Sequence, residues 1–134
     1  MMEQCIAGGF QKMLLIGHMG KLVKVASGSF HTYNRNSDGR METMAAYAAM
    51  NGASTDTVRE IMCCTTTDGA AAVVHRERLD MIYQQMAERA QVRSERYIFG
   101  KARVGVIFAA MDGTVQAVSS HAKEILEEEQ WSIH

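Results

Sequence analysis

The stretch from Lys12 to Arg40 limits the fold more than any other part of this chain. An apolar run, Met13-Leu14-Leu15-Ile16, enters Gly17-His18-Met19-Gly20, and a second apolar run carrying Lys21 and Lys24 follows. This order predicts a strand, a tight turn and a helix. A glycine turn that launches a helix leaves the N–H groups of the first turn free to meet an anion. Past the helix, Ser27-Gly28-Ser29 leads into a polar loop, His31 to Asp38, rich in groups able to hold a ligand.

Further along, helical spacing places Met41, Met44, Ala45 and Ala48 on one face of a helix from Arg40 to Asn51, with Ser37 or Asp38 as N-cap and Gly52 as a left-handed stop. A shorter helix from Thr55 to Cys63 is expected to turn Val58, Ile61 and Met62 inward behind a Ser54 or Thr55 cap. Thr65-Thr66-Thr67-Asp68 suits the cap of a third helix over Gly69 to Val74, a reading favoured over ligand contact. The longest helix is predicted from Arg76 to about Glu95, with Leu79, Ile82, Tyr83, Met86 and Ala90 inward. Its basic residues Arg89, Arg93 and Arg96 form a possible partner surface diluted by Glu88 and Glu95. Arg103 to Ala110 is nearly continuous in apolar character, as in a strand buried on both faces. Asp112-Gly113 then predicts a hairpin into Thr114 to Val118, with both central positions at positive φ. A polar helix from His121 to Gln130 precedes the tail.

These elements assemble into an α/β (α+β) domain, a small mixed sheet flanked by helices. If the first strand pairs with Arg103 to Ala110, the intervening helices form the crossover and a ligand sits beyond the carboxyl end of the first strand.

Composition narrows the function classes. A chain of 134 residues, 47% hydrophobic and 22% charged, suits one globular domain. With 14 Lys+Arg against 15 Asp+Glu, the net charge of -1 gives no general attraction to nucleic acid or an anionic membrane. No apolar run approaches the roughly 20 residues of a bilayer span, so a soluble cytoplasmic location is expected. Cys5 and the adjacent Cys63-Cys64 read as small buried thiols. The histidines are scattered and there is no H-E-x-x-H, so no metal site is expected. Gly17-x-x-Gly20-Lys21 resembles the end of a phosphate loop, but the upstream glycine is missing and Leu22 replaces the Mg²⁺-binding hydroxyl. What remains is an anion site of glycine N–H groups, Lys21 and Lys24, weighed against solvated lysines and a capping or core His18. Asp38, Arg40 and Glu42 read equally as an ion-pair cluster or a ligand clamp.

LLIGHMGKLVKVASGSFHTYNRNSDGRMETMAAYAA closely resembles the C-terminal part of the CbiD family, the cobalt-precorrin-5B C1-methyltransferases of anaerobic cobalamin synthesis. The match rests on Gly17, His18, Gly20, Lys21, Lys24, Ala26, Gly28, Thr32, Asp38, Arg40 and Glu42, and continues less specifically to RVGVIFAAMDGTVQAVS. Tyr33 stands where many members have histidine, and Ser37 where alanine is usual. The resemblance implies a single C-terminal domain, residues 1–134, of a two-domain enzyme whose N-terminal domain is absent here and is an expected partner. It implies methyl transfer from S-adenosylmethionine to C1 of a cobalt-precorrin tetrapyrrole, with a fragment inactive alone. Gly17, His18, Gly20, Lys21, Lys24, His31, Thr32, Arg35, Asp38 and Arg40 are the expected substrate- or cofactor-binding residues, and no catalytic residue is assigned. The alternative is a non-catalytic ligand-binding or interaction module keeping the fold. A truncated sheet edge would favour self-pairing, making a homo-oligomer a further expectation.

Overall fold

In the computed structural model, which describes Met2, residues 8–28, Phe30, and residues 39–110 and 112–129, the two apolar runs pair as strands. β1 (Lys12–His18) lies parallel to β2 (Arg103–Ala109), with Leu15 opposite Val106 and His18 opposite Ala109. A parallel pair needs a long crossover, and five helices supply it: α1 (Met19–Ala26), α2 (Arg40–Met50), α3 (Thr55–Met62), α4 (Thr67–Arg76) and α5 (Met81–Tyr97). β3 (Val115–Val118) returns antiparallel beside β2, and α6 (Ser120–Glu128) follows. The result is the expected small mixed sheet, in the order β1-β2-β3, with helices on both sides.

β2 owes its near-continuous apolar character to its central place. Val104, Val106 and Phe108 face the main core with Val23, Met44, Ile82 and Met86. Gly105, at an alternate position, faces α6 and meets Ala122. Gly105 is required there, because a Cβ on it would lie 2.4 Å from the Cα of Ala122. Ser119 fastens the start of α6 by accepting from the N–H of Val106 at 2.9 Å and of Ala122 at 3.4 Å. Lys12 and Arg103, opposite one another at the start of β1 and β2, reach Glu128, Glu129 and Glu124 at the far end of α6. Arg103 and Lys12 hold the Glu128 carboxyl well below its ordinary range, down to about 2.

Several expectations need correction. β1 runs unbroken into α1, with Gly17 and His18 still in the strand and no separate turn between them. The long helix does not begin at Arg76: α4 ends there, Arg78 takes a left-handed φ of 56°, and α5 starts at Met81 after Asp80. Leu79 is buried from the connection itself, so its fit to the helical period was coincidental. Met62 faces outward at 43% exposure, because α3 spends its inward face on Thr57 and Ile61. Cys63 is exposed and Cys64 only half-buried, contrary to the buried-thiol reading, while Cys5 lies outside the described residues. The hairpin forms, but only Gly113 has positive φ, at 88°. Its N–H donates to the Ala110 carbonyl at 3.0 Å and the Asp112 carboxylate accepts from the Thr114 N–H at 2.9 Å, a three-residue loop rather than the two-residue form. Gly39 occupies the N-cap position of α2, so neither Ser37 nor Asp38, both outside the described residues, holds it.

Candidate functional site

His18 stands where β1 becomes α1, and its imidazole is the cap of that helix: Nδ1 accepts from the N–H of Gly20 at 3.0 Å. An accepting Nδ1 leaves the ring proton on Nε2, and Nε2 lies 3.5 Å from Asp68 Oδ1. Asp68 belongs to the first turn of α4, capped in turn by Thr66, whose hydroxyl accepts from the N–H of Gly69 at 3.0 Å. Two helix N-termini therefore converge on one histidine. Gly20 makes this approach possible, since a Cβ there would lie 3.0 Å from His18 Nδ1 and 3.2 Å from the Thr67 hydroxyl. The threonine run acts as the cap expected from sequence, and its link to His18 through Asp68 had no sequence signal because the two lie fifty residues apart.

The two lysines of the expected anion site differ in their surroundings. Lys21 is exposed, whereas Lys24 is 1% exposed and packed within the fold. Residues three apart on a helix differ by about 60° in direction, enough at the edge of a buried face to put one in water and one in the interior. Arg40, half-buried, opens α2 with exposed Glu42 in the same turn. His31, Thr32, Arg35 and Asp38 lie outside the described residues, between Phe30, stacked on Tyr97 at 4.2 Å, and Gly39.

The other end of α1 opens on a groove of about 840 Å³ between α2 and α5. Ala26, Ala46, Met50 and Val92 give it apolar surface, and Met50 is left 71% exposed. Tyr47 lines it from α2, and Arg89 and Arg93 from α5. Burial pushes the Tyr47 phenol up from its ordinary range against the pull of the two arginines, which keeps it a hydrogen-bond donor at neutral pH. Gly28, at φ 92°, allows Arg93 in: a Cβ at that position would lie 2.7 Å from Nη1 of Arg93. The sequence motif around α1 thus serves both ends of one helix, with His18 and Gly20 shaping its start and Gly28 the seat of an arginine at its end. Sequence reasoning named Arg89 and Arg93 as a partner surface and missed Tyr47; helical phase alone could have put Tyr47 beside Thr43 and Met50 on the α2 side of a cleft.

The family described as CbiD, C-terminal domain, matches residues 31–120. A cobalt-precorrin-5B C(1)-methyltransferase of Photorhabdus laumondii is 37% identical over 130 residues, covering 95% of this chain and 34% of the relative. Proteins of the same name from Desulfitobacterium hafniense and Alkaliphilus metalliredigens are 34% and 35% identical, over 98% and 95% of this chain and 36% and 34% of their own lengths. This chain spans about a third of the length of the curated relatives it matches. No solved structure matches it significantly.

Proposed function

The chain belongs to the CbiD C-terminal domain family, and from that premise we propose that it is the C-terminal portion of a methyltransferase that uses S-adenosylmethionine to methylate C1 of cobalt-precorrin-5B in cobalamin synthesis. The observation that carries this reading is the family match over residues 31–120, joined by relatives that bear the methyltransferase name across nearly the whole chain. The relatives are about three times longer, which supports an N-terminal domain as the partner that completes the active enzyme, with this portion inactive alone. Among the described residues no helix is long and apolar enough to cross a membrane, in keeping with work in the cytoplasm on a water-soluble substrate. Self-pairing along the outer edge of β1 is the proposed route to a homo-oligomer.

A sulfonium donor arrives activated, so alignment of the methyl with the acceptor carbon is the main demand on the protein, and such positioning is worth about 7 to 11 kcal/mol. A rigid junction of strand and two helix N-termini at Gly17, His18 and Gly20 suits that task. Lys21, on the exposed side of α1, Arg40 at the head of α2 and Arg35 are proposed carboxylate contacts, with His31, Thr32 and Asp38 as further proposed binding residues. Lys24 is proposed as an internal support for this region rather than a direct contact.

The test is a chimera in which this chain replaces the corresponding third of the Photorhabdus relative, assayed for methyl transfer from S-adenosylmethionine to cobalt-precorrin-5B. Formation of the C1-methylated product supports the assignment. A folded chimera that transfers no methyl group, beside an active parent, rejects it.

A further inference from the structure

Two arginines line the groove between α2 and α5, and among the described residues no carboxylate pairs with either. No hydrogen bond or ion pair engages Arg89 or Arg93 among the described residues, and Nε of Arg93 is buried with no acceptor. An orphaned guanidinium N–H costs free energy wherever it is cut off from water, so its persistence beside an open cleft points to a ligand that supplies the acceptor. Two other arginines show the paired state: Arg76 forks onto Glu60 at 2.7 and 2.8 Å, and Arg103 reaches Glu128 at 2.6 Å. Glu88, a neighbour on the same helix, is already tied to the N–H and hydroxyl of Ser120 and to Gln84.

The remaining walls narrow the ligand. Met50 and Val92 present exposed apolar surface, and the groove follows α2 from Glu42 to Met50 and α5 from Gln84 to Arg93, about 12 to 14 Å of each helix at about 1.5 Å per residue. A volume of about 840 Å³ falls in the upper part of the range for ligand clefts, about 300–1,000 Å³. Exposed Glu42, on the opposite rim, would repel acid groups toward the arginine wall. A flat, apolar body with acid groups along one side satisfies all of these walls together.

We propose that the α2–α5 groove is a binding site for a polycarboxylated macrocycle of the corrin type, with Arg89 and Arg93 gripping its acid side arms, Tyr47 donating to one of them, and Met50 and Val92 under the ring. This inference rests on the methyltransferase reading for the nature of the ligand, and on the unanswered arginines for its place. Gly28 belongs to the same device, because it leaves room for the Arg93 guanidinium at the end of α1.

The probe is dicyanocobyrinic acid, a corrin with free carboxylates, titrated into the 134-residue chain by absorbance and equilibrium dialysis, with dicyanocobinamide, whose side arms are amidated, as comparison. The expected result is saturable binding of the acid, at least tenfold weaker binding of the amide, and a loss of tenfold or more in Arg89→Gln and in Arg93→Gln, with Arg59→Gln, on exposed α3, unchanged. Modification of the unaltered protein by phenylglyoxal, read by mass spectrometry, covers the case in which a variant fails to fold: bound acid should shield Arg89 and Arg93 and leave Arg59 reactive. Absence of binding, equal affinity for acid and amide, unchanged affinity in folded arginine variants, or no shielding at saturation would each overturn the proposal. The chimera separates the two readings: one that transfers methyl groups with an unchanged KM after Arg93→Gln keeps the enzyme and discards the groove. Binding without transfer in a folded chimera keeps the groove and discards the enzyme.

Discussion

Gly105→Ala puts the packing of α6 on β2 to a quantitative test. The new Cβ would lie 2.4 Å from the Cα of Ala122 and 2.7 Å from both its N and its Cβ. Ordinary contact begins near 3.4 Å, so α6 must retreat by about 1 Å, and backbone atoms cannot rotate aside as a side chain does. Overpacking of this kind costs about 1–3 kcal/mol, and the rigid neighbour favours the upper end. Retreat also stretches the 2.9 Å bond from the Val106 N–H to the Ser119 hydroxyl, a loss of about 1 kcal/mol. Together the expected destabilisation is about 3 to 4 kcal/mol, a large share of the roughly 5–15 kcal/mol typical of a folded domain. Urea unfolding followed by circular dichroism measures it as a fall in midpoint at unchanged slope. Ala122→Gly should not rescue the variant, because the closest clashes are with Cα and N. A loss below about 1 kcal/mol, or full rescue by Ala122→Gly, would refute the close packing from which the figure is worked.

His18→Ala should cost about 1 kcal/mol by stripping the cap from the Gly20 N–H, with His18→Asn recovering most of it, as thermal unfolding of the three proteins can check. Gly28→Ala should lose about 1–2 kcal/mol from the left-handed φ of 92° alone, and because Arg93 can swing away from the new Cβ, its larger effect should be on the chemical reactivity of Arg93. Arg103 and, to a lesser extent, Lys12 depress Glu128 from 4.5 to about 2, so the contribution of this carboxylate is complete above pH 4.5 and disappears as pH falls toward 2. Glu128→Gln should therefore flatten the acid limb of stability between those values, and a limb unchanged in slope and position would count against the ion cluster.

Local chemistry was legible wherever neighbours in sequence are neighbours in space. The caps at Ser54 and Thr66, the stop at Gly52 and the Asp-Gly hairpin were readable because each bond spans a few residues. The reading failed where a residue's phase mattered less than its surroundings. Met62 and Leu79 both fit a helical stripe, yet one ends in water and the other in a buried connection. The loop residues His31, Thr32, Arg35 and Asp38, on which much of the expected site depends, fall outside the described residues.

The sequence by itself determined the main order of strands and helices and the glycine-framed entry to α1, since apolar period and turn chemistry act over short range, and it left the parallel pairing of the two apolar strands conditional. Only the tertiary structure decided which charges could meet a ligand. It sent Lys24 into the interior and Lys21 into solvent, brought Asp68 to His18, and left Arg89 and Arg93 facing a cleft. The physical reason is that burial and the presence of a counter-charge depend on elements packed from distant parts of the chain, and no local pattern in the residues encodes them.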